Sequence, residues 1–382
     1  MAKKAKAGRV PIHDLMKLVN KKAGRTVAHD LTGDNPTTVK EWIPTGSRWL
    51  DSIICKGQVS GIPVGKVTEI AGLEATGKSY MAVQIAANAQ KMGKVVVYFD
   101  SESAIDPSFL EKAGCDLENL MYVQAQSVEF VLETIEELLG ATDEKLVFIW
   151  DSLAFTPAIS DVEGDFNPQS SMAVKARILA KAMSKLVIPI ADQQATLIVL
   201  NQLKTNIPRG PNAHIVAMTT PYITPGGKAM HYSYSLRIWL TGRKAKSAFI
   251  NDEKGFRIGS EVKVKIEKSR FGSTGRNCAF RILWGTEDVG IRDEESWFDA
   301  IKGSERLKSA GSWYTLSMED GYTKKFQPSK WNELITNDNE FRANIIRLMD
   351  EEIVEKFDRR QGDAKSFYAE PDDLTVPQEA TA

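Results

Sequence analysis

From about residue 62 the chain alternates short apolar runs with longer stretches of helical periodicity. Residues 64–71, 94–99, 145–150 and 195–201 are rich in β-branched and other apolar side chains, and each has the length of a strand. Residues 78–91 and 127–139, which lie between such runs, read as helices. This strand–helix order predicts an α/β fold, a mostly parallel twisted sheet flanked by helices. Three later runs, 237–241, 262–266 and 279–284, predict further strands of the same sheet. Near the start, residues 13–20 have the spacing of a short amphipathic helix, and the Thr-Gly-Asp-Asn-Pro of 32–36 reads as a linker. After Gly285 the pattern shortens and Trp and charged residues become denser, which predicts a small C-terminal α+β domain. The expected organisation is a short N-terminal helical arm and linker over 1–40, a main α/β domain over 41–285, a small domain over 286–368 and an acidic disordered tail over 369–382.

Of the 382 residues 42% are hydrophobic, enough for a sizeable core, which excludes disorder of the whole chain. No apolar run approaches the ~18–20 residues of a membrane span, and no apolar segment follows the basic start Met1-Ala2-Lys3-Lys4, so neither a membrane nor a secretory signal is expected. Cys55, Cys115 and Cys278 are scattered, which points away from a disulfide framework or zinc site and towards a reducing cytoplasm. The net charge of −1 argues against a uniformly basic coat for nucleic acid. That total hides opposite ends. Residues 1–30 carry eight bases and two acids, whereas 351–382 carry nine acids and four bases. Between Leu203 and Lys228 stand three bases, four prolines and no acid.

The most specific motif is Gly72-Leu73-Glu74-Ala75-Thr76-Gly77-Lys78-Ser79, a GxxxxGK[ST] sequence between an expected strand and an expected helix. Its chemistry requires these residue types. Glycines let backbone N–H groups curl round phosphates, Lys78 supplies a point charge to the β/γ oxygens, and the Ser79 hydroxyl is a ligand for Mg²⁺. The helix N-terminus adds its partial positive charge. Three apolar runs end in polar residues: Asp100-Ser101-Glu102, Asp151-Ser152 and Asn201-Gln202. In a doubly wound sheet ligands sit outside the carboxyl ends of the strands, so these three ends are expected to converge on the phosphates. Asp151 is then the candidate carboxylate on the Mg²⁺ side, acting through water, Glu102 the base that orients the attacking water, and Gln202 a sensor of the γ-phosphate.

With these motifs the chain resembles the RecA-like homologous recombinases, of the bacterial RecA and phage UvsX type. The likeness runs from about Ile43 to Trp284. It rests on Ile43-Pro44-Thr45-Gly46-Ser47 with Leu50-Asp51, the P-loop with Glu74, the segment Asp100 to Pro107, Phe109, Asp151-Ser152, Asn201-Gln202 and Gly226-Gly227-Lys228-Ala229. The resemblance implies a DNA-dependent ATPase core that binds ATP and Mg²⁺, with Tyr80, Asp106 and Phe109 joining the P-loop and Asp151 around the nucleotide. It implies a head-to-tail filament on single-stranded DNA, pairing with homologous double-stranded DNA and strand exchange, in the cytoplasm of a bacterium or a phage-infected host. Single-strand-binding and mediator proteins are further partners it implies.

Two segments correspond to the family's DNA loops, at about 160–172 and 203–228. The first is polar and carries Asp161, Glu163 and Asp165, so the resemblance and not charge places DNA there, with Met172 and Arg177 at its edge. The second reads as a structureless stretch fixed at Gln202, an order–disorder switch set by ATP. Its candidate DNA residues are Lys204, Ile207, Arg209, Gly226, Gly227 and Lys228. In the strand from Val262 to Arg270, Lys268 and Arg270 share the parity of Val262, Val264 and Ile266. Two cations pointing in the apolar direction must leave the core and meet an anion. The resemblance makes that anion the γ-phosphate of the next subunit. Three other readings of the same core stay open from sequence: a ring helicase or motor, a recombinase-like accessory ATPase, and a DNA-independent ATPase.

Overall fold

The computed structural model describes residues 10–33, 35–163, 171–208, 210–242, 248–285 and 289–358; the side chains of 163 and 171–173 are outside it. The acidic tail over 369–382, the end of the small domain, Arg209 and residues 164–170 of the first loop therefore lie outside the described residues. The chain forms two compact units, divided after Lys40.

The first unit is built on the helix Ile12–Ala23. Gly24 ends it at φ 68°, a left-handed conformation that costs glycine nothing. Beyond the turn, the Asn20 side chain accepts the N–H groups of Val27 and Ala28. Ile12, Leu15, Leu18 and Val19 are exposed, and no residue of this helix is buried.

In the second unit a ten-stranded sheet runs in the order Gly290–Arg292, Asn277–Leu283, Arg257–Ser269, Leu236–Gly242, Val67–Gly72, Thr196–Gln202, Leu146–Asp151, Val95–Asp100, Leu120–Gln124. Phe249–Asn251 pairs off this path with Arg257–Ser269. The six strands from Leu236–Gly242 to Leu120–Gln124 are parallel, and the three on the other side are antiparallel. Alternate residues of each central strand serve opposite faces. Val96, Tyr98, Val147, Ile149, Ile198 and Leu200 pack with the helices Arg48–Ile54 and Lys78–Lys91. Val97, Phe99, Phe148, Trp150, Leu197 and Val199 pack with Val128–Ala141 and Ser171–Asp192. Burial of both faces is why these strands read as continuous apolar runs.

The strand Leu120–Gln124, absent from the sequence reading, lies at the edge of the sheet with Met121 and Tyr122 exposed. After residue 289 the chain adds a three-stranded antiparallel sheet, Leu307–Ala310, Trp313–Ser317 and Thr323–Phe326, with the helices Trp331–Asn337 and Asn339–Met349. Its apolar residues join the cluster that covers the P-loop helix, so this region packs with the main sheet as one unit. Asp293 fastens the junction by accepting the Ser47 hydroxyl (2.5 Å), the Trp49 N–H (3.1 Å) and the Trp297 indole N–H (2.6 Å).

Candidate active site

The strand Val67–Gly72 ends at the P-loop, and the helix Lys78–Lys91 begins within it. A side chain at Gly72 would lie 2.4 Å from the Thr76 hydroxyl and 3.0 Å from the Leu240 carbonyl, so only glycine fits. Gly77 takes φ 85°, which turns the chain into the helix. The first-turn N–H groups of this 14-residue helix have no intrahelical acceptor and make an anion-binding end. Thr76 Oγ1 and Lys78 Nζ both donate to the Leu73 carbonyl, at 2.8 and 2.9 Å. Desolvation lowers the Lys78 pKa, while the charges of Asp151, Glu102 and Glu74 work to raise it.

A cavity of about 470 Å³ opens here, lined by Glu74, Ala75, Lys78, Ser79, Tyr80, Asp100, Glu102, Ala104, Ile105, Asp106, Phe109, Asp151, Ser152 and Gln202. The three polar strand ends thus meet one P-loop. Asp151 Oδ2 accepts the Ser79 hydroxyl at 2.7 Å and the Tyr98 hydroxyl at 2.8 Å. Desolvation raises the Asp151 pKa, and these two bonds pull it back. Among the described residues no group of three His, Cys, Asp or Glu side chains forms a metal cage. Ser79 and Asp151 instead offer a hydroxyl and a carboxylate, the hard oxygen donors that suit a largely hydrated Mg²⁺ shared with phosphates. At the other side of the cavity the Tyr80 and Phe109 rings meet edge to face at 4.5 Å. Asp106 caps the helix Pro107–Lys112 there by accepting from the Ser108 N–H and hydroxyl.

The loop that carries Glu102 is held from beneath by Asp100. Its carboxylate accepts the N–H groups of Glu102 (2.9 Å), Ala104 (3.0 Å) and Ile105 (3.2 Å) and the Tyr122 hydroxyl (3.2 Å). The sequence marks Asp100 as a polar strand end but gives it no role of its own, and it gives none to Tyr98, which stands within the apolar run. A second missed group is buried under the sheet end. Glu69 forms an ion pair with Arg237 (2.6 Å) and accepts from Asn201 Nδ2 (3.0 Å); Arg237 also donates to Thr224, whose hydroxyl meets His231. An acid in the middle of the 64–71 run is the trace this group leaves in the sequence, because a buried charge requires a partner.

The second loop departs from the structureless expectation. Lys204–Thr205 and Tyr222–Ile223 pair as short antiparallel strands and enclose the helix Ala213–Thr219. Prolines 208, 211, 221 and 225 flank this helix and leave 212–220 free of them, and Asn206 closes the ring through Pro221 and Thr220. Lys204 and Lys228 are exposed, Ile207 is 82% exposed, and Gly226 and Gly227, both at positive φ, open the helix Gly227–Ser233. Arg177 is exposed on the helix Ser171–Asp192, whose backbone includes Met172.

The expected parity of Lys268 and Arg270 does not hold. Ile238 faces Ile266 but Arg237 faces Lys268, so Glu267 is an extra residue and the strand bulges. Lys268 therefore lies on the opposite face from Val264 and Ile266. Lys268 Nζ donates to the His231 carbonyl (2.7 Å), and Arg270 Nη2 to the Tyr232 carbonyl (2.9 Å), at the end of the helix Gly227–Ser233. Neither cation lines the cavity of its own chain.

Residues 11–290 match the family model of the RecA N-terminal domain. The chain is 32% identical over 327 residues to Protein RecA of Bifidobacterium breve, covering 84% of this chain and 78% of that protein. It is 32% identical over 289 residues to Protein RecA of Colwellia psychrerythraea, covering 75% and 77%. A P-loop facing three polar strand ends, a model match across the main sheet and identity at this level over most of both chains have one reading: the chain belongs to the RecA family.

Proposed function

We propose that this protein is an ATP-dependent homologous recombinase, a DNA-dependent ATPase that assembles head to tail on single-stranded DNA, pairs it with homologous double-stranded DNA and exchanges strands. The observation that carries the reading is the convergence of Lys78, Ser79, Glu102, Asp151 and Gln202 on one cavity. In this reading Lys78 and the P-loop amides hold the phosphates, and Glu102 orients the attacking water. Phe109 and Asp106 take the base, and Gln202 reports the γ-phosphate to the loop that starts at the next residue. Ser79, and Asp151 through water, would hold Mg²⁺, which would supply charge neutralisation for the phosphates. Lys268 and Arg270 complete the site of the neighbouring subunit.

Residues 1–40 serve assembly and 286–368 form the accessory domain. Lys204, Ile207, Arg209, Gly226, Gly227 and Lys228, with Met172 and Arg177, hold DNA without reading its sequence. The relatives are bacterial, and the cytoplasm of a bacterium or a phage-infected host is the compartment this reading assigns. Among the described residues no helix is long and apolar enough to cross a membrane.

The test is ATP hydrolysis with and without single-stranded DNA beside a strand-exchange assay. Wild type is expected to be stimulated and to exchange strands. Lys78→Ala is expected to lose hydrolysis by about 100-fold or more, in line with removing an electrostatic anchor of the transition state. An unstimulated wild type, or closed hexamers instead of open filaments in electron micrographs, would overturn the proposal.

A further inference from the structure

Lys175 stands early in the helix Ser171–Asp192, just after the first loop. Its half-buried ammonium donates to two backbone carbonyls, those of Leu153 (2.7 Å) and Thr156 (2.6 Å). A partly desolvated cation that spends its hydrogen bonds on carbonyls is costly to maintain, and an apolar side chain would fill the place at lower cost. Asp161 and Glu129 lie near enough to favour its charge and Lys204 near enough to oppose it. Desolvation, reinforced by Lys204, outweighs the two acids and brings the pKa down to about 8.

The two carbonyls sit at a junction. Leu153 follows Asp151-Ser152 directly, and its N–H donates to the carbonyl of Leu200 (3.0 Å) on the strand that ends in Gln202. A side chain at Gly226 would come 3.1 Å from Leu153 Cδ2, so the first glycine of the pair that closes the second loop lies against this residue. Thr156 donates from Oγ1 to the Ser152 carbonyl (2.9 Å) and accepts the Trp150 indole N–H (2.8 Å). One residue beyond Lys175, the Cβ of Ala176 would lie 3.2 Å from a Cβ at Gly227. The segment 152–156 is thus bounded by the Asp151 strand, the Gln202 strand, the first-loop helix and the end of the second loop. Lys175 is the charged tie between that segment and the helix.

We propose that Lys175 is a positioning residue that couples the nucleotide end of the sheet to both DNA loops, by tying the segment 152–156 to the helix after the first loop. The inference rests on reading 160–172 and 203–228 as DNA loops. A tie of this kind transmits only while its ammonium is present. Arg keeps the charge and the donors, whereas Met keeps the approximate shape alone.

The test uses the full chain and measures ATP hydrolysis with and without single-stranded DNA. Lys175→Met is expected to keep its DNA-independent rate within about two-fold and to lose DNA stimulation by about ten-fold or more, while Lys175→Arg retains most of it. The wild-type stimulation ratio is expected to fall as pH rises from about 7 to about 9, and that of Lys175→Arg to stay level. Equal loss of the basal and stimulated rates in Lys175→Met would reduce the residue to a structural role and overturn the inference, as would stimulation equal to wild type. Should Lys175→Met fail to fold, the two pH profiles decide: parallel profiles overturn the inference. A wild type unmoved by DNA overturns the DNA-loop reading and this inference together, whereas a stimulated wild type with an equally stimulated Lys175→Met overturns the inference alone.

Discussion

At the scale of single residues, buried carboxylates do the positioning. Asp100 is 3% exposed and accepts the N–H groups of Glu102, Ala104 and Ile105, so its carboxyl group fixes the backbone from which Glu102 projects. Asp100→Ala is expected to lower kcat by about 10- to 100-fold with little change in the KM for ATP, because the phosphate cradle is untouched while the water-orienting group loses its alignment. Steady-state kinetics check this, and a change confined to KM would contradict it. Asp51 is different in kind. It is buried, accepts the Thr45 N–H and hydroxyl (2.7 Å), and desolvation, reinforced by the nearby charge of Asp293, raises its pKa from 3.8 to about 8. The folded state thus binds the proton more tightly than the unfolded chain. Its contribution to stability is complete below pH 3.8 and is lost progressively until the pH passes about 8. Asp51→Asn keeps an acceptor for Thr45 without the charge. Its urea midpoint, measured against wild type at several pH values, is expected to gain on wild type as pH rises to about 8 and then to level off. A gap that does not change with pH would show that Asp51 is ionised in the fold.

At the scale of elements, what is legible from sequence depends on whether the determinants are local. The helix Lys78–Lys91 is legible to the residue, because Gly77 supplies the left-handed turn at its start and its face is a run of Ala, Val and Ile. The six parallel strands are mostly legible as apolar runs; Leu120–Gln124 is not, since an edge strand with exposed Met121 and Tyr122 lacks the apolar run of its neighbours. Asp151, Glu102 and Gln202 are legible because each ends such a run next to a P-loop motif. Lys175 and the Glu69–Arg237 pair are not, because their partners are distant in sequence or are bare carbonyls. The bulge at Glu267 shows the limit most clearly. Alternation continues unbroken in the sequence, and only the pairing partner Arg237-Ile238 reveals the extra residue. That bulge re-aims Lys268 and Arg270 towards the end of the helix Gly227–Ser233, outside their own cavity. Arg270 is exposed, and Arg270→Ala is therefore expected to change unfolding free energy by no more than about 0.5 kcal/mol. With Arg270 in the proposed trans role, the variant's hydrolysis rate on single-stranded DNA is expected to fall by about 1,000-fold or more. A melt and a rate measurement on the same preparation check both halves, and a normal rate would remove Arg270 from the site.

At the scale of the whole molecule, the deciding quantity is the charge balance around the phosphates. Among the described residues that line the cavity, Lys78 is the only cation, against Glu74, Asp100, Glu102, Asp106 and Asp151. A triphosphate adds more negative charge, and the transition state spreads it over the transferred oxygens. Within a single protomer, among the described residues lining the cavity, one lysine and a helix terminus face that charge. The proposed remedy is the Lys268 and Arg270 pair of a second copy, a heterologous contact that repeats without closing and makes hydrolysis a property of the assembly. It follows that specific activity depends on protein concentration. In the absence of DNA, the rate per protomer is expected to fall on dilution as contacts dissociate, by about ten-fold or more once monomers dominate. Single-stranded DNA is expected to restore it by holding neighbours together on one lattice. A rate per protomer independent of concentration would mean that each chain completes its own site.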